Sequence, residues 1–112
     1  MKKLKTVILC ASAMSSGLIV EDIKSIANKF NVEVEIECFA SLRFKNYDYS
    51  NLDVVVLAPQ VKSQEADIRK YLDEKNIALP IYTIPMRDYG LVRGEKILKD
   101  LLQVIESTET GE

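Results

Sequence analysis

Residues 5–17 read Lys5-Thr6-Val7-Ile8-Leu9-Cys10-Ala11-Ser12-Ala13-Met14-Ser15-Ser16-Gly17. The first six form a largely apolar run rich in β-branched residues, which predicts a central strand buried on both faces. The seven that follow are mostly small and interrupt that run. Beyond them Leu18, Ile19, Ile23, Ile26, Ala27 and Phe30 fall on one helical stripe, with Glu21, Asp22, Lys24 and Lys29 off it. A buried strand feeding a helix through a short turn is how a parallel α/β sheet begins.

Val32, Val34, Ile36 and Cys38 then alternate with Glu33, Glu35 and Glu37. One wet face means a second strand at the sheet edge. Residues 41–51, with Arg43, Lys45, Asn46, Tyr47 and Tyr49, read as a loop holding one helical turn. Asp53 to Ala58 is another wholly buried strand, ended by Pro59-Gln60. A helix is predicted from about Ser63, its N-cap, to Lys75. Pro80 to Ile84 makes a fourth strand. After Met86 to Gly90, a last helix presents Ile97, Leu98, Leu101, Leu102 and Ile105 and ends near Glu106. This makes residues 1–106 the domain and 107–112 a disordered tail. The predicted fold is a single three-layer α/β domain: an open four-stranded parallel sheet of order 2-1-3-4, with helices on both faces. Its topological switch point lies between strands 1 and 3, and ligands of such sheets bind beyond the strands' carboxyl ends there. The loops at that spot begin at Cys10 and at Pro59-Gln60.

Composition narrows the function. The chain has 112 residues, 47% of them apolar, enough for one core and too few for two. Fifteen Lys and Arg against seventeen Asp and Glu give no electrostatic footprint for nucleic acid, and no basic tract suggests an anionic membrane surface. The strongest apolar run, residues 54–58, is a strand's length, and the apolar stretch behind Met1 to Lys5 is too short for a secretory signal. A cytoplasmic location is expected. There is no histidine, so Ser-His and Cys-His mechanisms within the chain are excluded. Two cysteines alone make a poor metal site, and no cofactor is predicted.

The chemistry centres on Cys10. Small residues from Ala11 to Gly17 let backbone N–H groups converge on an anion, and the helix N-terminus adds free donors and partial positive charge. Ser12, Ser15 and Ser16 add hydroxyls. A thiol at a helix N-terminus ionises more readily, and a thiolate beside an anion cradle is the equipment for a phosphocysteine. The cysteine phosphatases carry an Arg six residues after the cysteine; here that position is Ser16, and no Arg or Lys lies between Cys10 and Gly17. That favours handing a phosphoryl group on over hydrolysing it. Cys38 reads as a small core residue, Tyr47 and Tyr49 as packed rings of a solvated loop or else a docking surface, and Tyr89 as either a wall of the site or plain packing.

Three stretches carry a resemblance: residues 8–16 around Cys10, Asp53 to Val61, and Met86-Arg87-Asp88-Tyr89-Gly90 through Leu98. Together they resemble the B component of the bacterial sugar phosphotransferase system, lactose/cellobiose (chitobiose) type, over about residues 4–106. The resemblance implies a phosphotransferase relay. A phosphohistidine on the A component passes its group to Cys10, which passes it to a sugar, a disaccharide such as cellobiose, chitobiose or lactose, bound by the membrane-embedded C component. It implies a cytoplasmic protein that visits the inner membrane face through the C component, with no nucleic acid or metal among its partners. The family loop has Gly where Ala13 stands and Ser where Gly17 stands; if that glycine takes φ > 0, Ala13 is strained by roughly 1–2 kcal/mol. Two other readings stay open: a Cys-loop hydrolase of phosphatase or arsenate-reductase type, and a non-enzymatic phosphorylation sensor.

Overall fold

A computed structural model describes residues 2–11 and 13–110, the side chains of 13–15 and 108–110 excepted. Strand β1 (Lys2–Cys10) is flanked on both sides. It pairs in parallel with β2 (Val32–Ala40) from Lys2↔Val32 to Cys10↔Ala40, and with β3 (Val54–Leu57) from Thr6↔Val54 to Leu9↔Leu57. The short β4 (Ile81–Thr83) lies outside β3, giving the order β2-β1-β3-β4. Leu4, Val7, Ile8 and Leu9 of β1 and all four residues of β3 are fully buried, as strands covered on both faces must be. At the β2 edge the glutamates stay in water while Val32 and Ile36 are buried. Side chains also tie the central pair: Asp53 accepts the Lys5 N–H at 2.8 Å, and the Thr6 hydroxyl donates to the Val54 carbonyl at 2.6 Å.

Helix α1 (Ala13–Ile26) continues as a 3-10 turn over Ala27–Phe30, which Asn31 closes in the left-handed conformation at φ 55°. Ile19, Val20, Ile23 and Ala27 are buried against the sheet. Leu18 departs from the predicted stripe and is 61% exposed. On a 3.6-residue helix Ile19, Ile23 and Ala27 set the inward direction, and Leu18 sits a further 100° round from Ile19. Helix α2 (Glu65–Glu74) buries Ile68 and Leu72. Its Tyr71 ring meets Phe44 and Tyr49, from the β2–β3 connection, at 5.6 and 6.4 Å. A 3-10 turn over Pro59–Gln64 precedes α2, so Ser63 lies inside that turn, and no side chain caps α2 at Gln64.

After β4, the five-residue α3 (Met86–Gly90) leads to α4 (Gly94–Thr110), which packs on α1 and buries Ile97, Leu98 and Leu101. The chain turns between them at Val92, whose φ of 51° is costly for a β-branched residue. Helix α4 runs past Glu106, where the sequence predicts a tail to begin. Nothing in Ser107 to Thr110 breaks a helix, and the first breaker is Gly111.

Candidate functional site

All four strands are parallel, so the segments leaving Cys10, Ala40, Leu57 and Thr83 emerge at one end of the sheet. Backbone bonds hold them together there. The Ala58 N–H donates to the Leu9 carbonyl at 2.9 Å and the Ile84 N–H to the Leu57 carbonyl at 2.9 Å. The first of these brings Pro59 beside Cys10; Gln60 follows it into solvent. The Gln64 side-chain amide donates to the Ser41 carbonyl at 3.1 Å, tying the turn after β3 to the one after β2.

Cys10 is only 1% exposed, and its thiol donates to the Phe39 carbonyl at 3.8 Å. Ala11 makes an exposed bend, and Ser12 lies outside the described residues. Ala13, Met14 and Ser15 are the first residues of α1. The opening N–H groups of a helix have no partner within it, so α1 presents free donors and the positive end of its dipole to the end of β1. Ala13 takes a helical backbone, where φ is negative, so the strain that a left-handed residue would carry does not arise. Gly17 is also helical with ordinary φ, and a Cβ there would meet no atom within 4 Å; no turn depends on it.

Ser16 is fully buried and shares a hydrogen bond of 2.9 Å with the Tyr89 phenol. Its hydroxyl is therefore committed to α3, and Tyr89 meets the first turn of α1. Beside Tyr89, the buried Asp88 meets Arg93 at 3.7 Å and Lys96 at 3.5 Å. Lys96 also bridges Asp100 at 2.7 Å, and Asp100 accepts the Tyr82 phenol at 2.6 Å. Burial alone would raise the Asp100 carboxyl, but the Lys96 ammonium and the Tyr82 phenol outweigh it and hold it below its ordinary range. Sequence reasoning missed this network. Only the Lys96–Asp100 spacing of four was a signal in the sequence.

Cys38 is half-buried on β2, and both cysteines are free thiols. Burial first, and then the neighbouring Cys10, push the Cys38 thiol up to about 11, so it stays protonated at neutral pH. Tyr49 is buried with its phenol on the Phe44 carbonyl, and Tyr47 donates to Glu37 at 2.6 Å while its ring packs on Phe39. These rings pack, as the sequence predicts. At the mouth of α1, then, stand the Cys10 thiol and a row of backbone donors, with no cationic residue in the sequence between Cys10 and Gly17. Such a site can hold an anion and form one covalent bond to it through sulfur.

The family described as "PTS system, Lactose/Cellobiose specific IIB subunit" matches residues 5–100. The oligo-beta-mannoside-specific EIIB component of Bacillus subtilis is 30% identical over 101 residues, covering 90% of this chain and 95% of that one. The galactose-specific EIIB component of Lactococcus lactis subsp. cremoris is 29% identical, covering 80% and 84%. Among solved structures, the cellobiose-specific IIB component of Borrelia burgdorferi superposes with a TM-score of 0.72 at 28% identity, over 94% of each chain. The lactose-specific IIB domain of Streptococcus pneumoniae gives 0.71 at 25% identity, over 91% of this chain and 97% of that one. No helix among the described residues is long and apolar enough to cross a membrane.

Proposed function

The chain belongs to the lactose/cellobiose-specific IIB family of phosphoryl-transfer components in sugar phosphotransferase systems, and on that premise we propose that Cys10 is the residue that carries the phosphoryl group. The group arrives from a phosphohistidine on the A component. The Cys10 thiolate attacks phosphorus, the S–P bond forms, and the N–P bond to the donor imidazole breaks in line. In the second step a sugar hydroxyl held by the membrane-embedded C component attacks the same phosphorus, and the thiolate leaves. The observation that carries this reading is the position of Cys10 as the last residue of β1, ahead of the α1 N-terminus at the switch point between β1 and β3. Phosphoryl transfer asks mainly for in-line positioning and electrostatic support of the equatorial oxygens. The α1 donors supply that support without a cationic clamp.

The thiol, which rests on the Phe39 carbonyl, must leave it to reach a donor. Ala11, the backbone of residues 13–15 and Gly17 form the cradle. Ser16 and Tyr89 brace it, and Pro59 and Gln60 line its far side. The hydrolase reading is not favoured, because the position of the phosphatase Arg is Ser16, already bonded to Tyr89. Relatives named for oligo-beta-mannoside and cellobiose support a disaccharide, such as cellobiose, chitobiose or lactose, as acceptor. A cytoplasmic protein meeting the membrane through the C component fits this role. Incubation with a phosphorylated A component, followed by peptide mass spectrometry, tests the assignment: the label belongs on Cys10 and vanishes in Cys10→Ser. Label that persists in that variant refutes it.

A further inference from the structure

Both cysteines of the chain stand on one face of the sheet, on neighbouring strands. Cys38 lies opposite Ile8, and Cys10 lies two residues beyond Ile8, opposite Ala40. Paired residues share a face and so do residues two apart, which makes the two thiols diagonal neighbours between β1 and β2. The Cys10 thiol leans towards β2: its acceptor is the carbonyl of Phe39, the residue after Cys38, at 3.8 Å. After burial, Cys10 is the next influence that keeps the Cys38 proton on, by its charge and by a thiol–thiol hydrogen bond. Cys10 is the last residue of β1 and Ala11 makes an exposed bend, so the chain can give at this end of the pair. The transfer steps proposed above make no use of Cys38.

We propose that Cys10 and Cys38 form a reversible disulfide under hydrogen peroxide, a redox switch that takes the chain out of phosphoryl transfer. Its consequence for transfer rests on the Cys10 reading above; its chemistry does not. The Cys10 thiolate attacks one peroxide oxygen. The S–O bond forms, the O–O bond breaks, and the departing hydroxide takes up a proton to leave as water. The Cys38 sulfur then attacks the sulfenic sulfur of Cys10. The S–S bond forms, the S–O bond breaks, and the Cys38 proton leaves with the hydroxide as a second water. Two thiols have lost two electrons, and one peroxide has become two waters. Cys10 meets peroxide first because the thiolate is the reacting form and Cys38 holds its proton. A strand spacing of about 4.8 Å and a two-residue rise of about 6.6 Å put the two Cα atoms about 8 Å apart, against about 4.4–6.8 Å in most disulfides. The end of β1 must draw in by about 1–2 Å, and a bond closed against that pull is readily reduced. A dithiol reductant restores both thiols by exchange. Where the surroundings are reducing, disulfides of this transient, redox-sensing kind are the ones met. Disulfide and phosphocysteine exclude each other, since each uses the Cys10 sulfur.

Hydrogen peroxide added in slight excess to the reduced full chain, followed by peptide mass spectrometry without reductant, tests the proposal. The expected product has lost two hydrogens and joins the Cys10 peptide to the Cys38 peptide within one chain. It takes no phosphoryl group from a phosphorylated A component, and dithiothreitol restores acceptance. Cys38→Ala should accept the group normally before peroxide. After peroxide its Cys10 should carry a sulfenic acid that dimedone traps, and longer exposure should bring a loss that dithiothreitol does not reverse. Absence of the Cys10–Cys38 link in the unmodified chain, or a link only between two chains, overturns the proposal. So does recovery in Cys38→Ala equal to that of the unmodified chain. The intramolecular disulfide in a chain whose donor labels a residue other than Cys10 would refute the Cys10 reading and leave the disulfide standing.

Discussion

At the residue scale, the two free cysteines differ in what surrounds them. Cys38, with its thiol pushed up to about 11, is a protonated side chain at any physiological pH. Iodoacetamide should modify it in the folded protein only as pH rises towards that value, and Cys38→Ala should leave phosphoryl transfer to Cys10 intact. A raised pKa also means that Cys38 favours folding below its ordinary value of 9.0 and loses that contribution as pH climbs through about 11. Ser16 and Tyr89 share a bond in a dry place, so Tyr89→Phe leaves the serine hydroxyl without its partner. We expect a loss of about 1–3 kcal/mol in chemical denaturation, part of which returns in Tyr89→Phe/Ser16→Ala. The two helical glycines should behave oppositely. Gly17→Ala fills open space and should add about 1 kcal/mol. Gly94→Ala drives a methyl into the Asp22 carboxylate, whose Cγ would stand 2.9 Å away, and should cost about 1–2 kcal/mol. The Tyr89–Ser16 partnership was only half legible in sequence. Tyr89 was visible as a ring at the right end of the sheet, but a bond spanning 73 positions has no local signature.

At the scale of elements, strands were the most legible because burial on one or two faces writes different patterns. Largely apolar runs mark β1 and β3 as buried and strict alternation marks β2 as an edge, a pattern that the order 2-1-3-4 satisfies. Helix ends were less legible. The turn at Pro59–Gln64 displaced the start of α2 beyond Ser63, and α3 is too short for a 3.6-residue pattern to declare itself. The start of α4 depends on a group far away in sequence: the Asp22 carboxylate accepts the Gly94 N–H at 2.8 Å, doing for α4 what an N-cap side chain does locally. Asp22→Ala should therefore loosen the first turn of α4, seen as faster amide exchange at Gly94. Farther along α4, the Asp100 carboxyl is held below its ordinary 3.8. Its contribution is fully present above that value and lost as pH falls through the lower folded-state value. Asp100→Asn should thus reduce thermal stability at neutral pH, and the gap to the unmodified protein should close in acid.

At the scale of the molecule, fold and site have one origin. Parallel strands send every connection of interest to one end, and the helix that follows β1 aims its free donors there. The Cys10 loop was legible from its small residues and its place at the switch point. The exposure of Leu18 was not, because it reads as a core residue until α1 is in place. The central claim is that Cys10 alone takes up the phosphoryl group. The most direct test is mass spectrometry of the intact protein and its peptides after exposure to a phosphorylated A component. One added phosphoryl group is predicted, on the peptide containing Cys10, acid-labile in the manner of a thiophosphate ester and absent from Cys10→Ser. A phosphoryl group on Cys38 or on any serine of residues 12–16, or undiminished labelling of Cys10→Ser, would contradict the account.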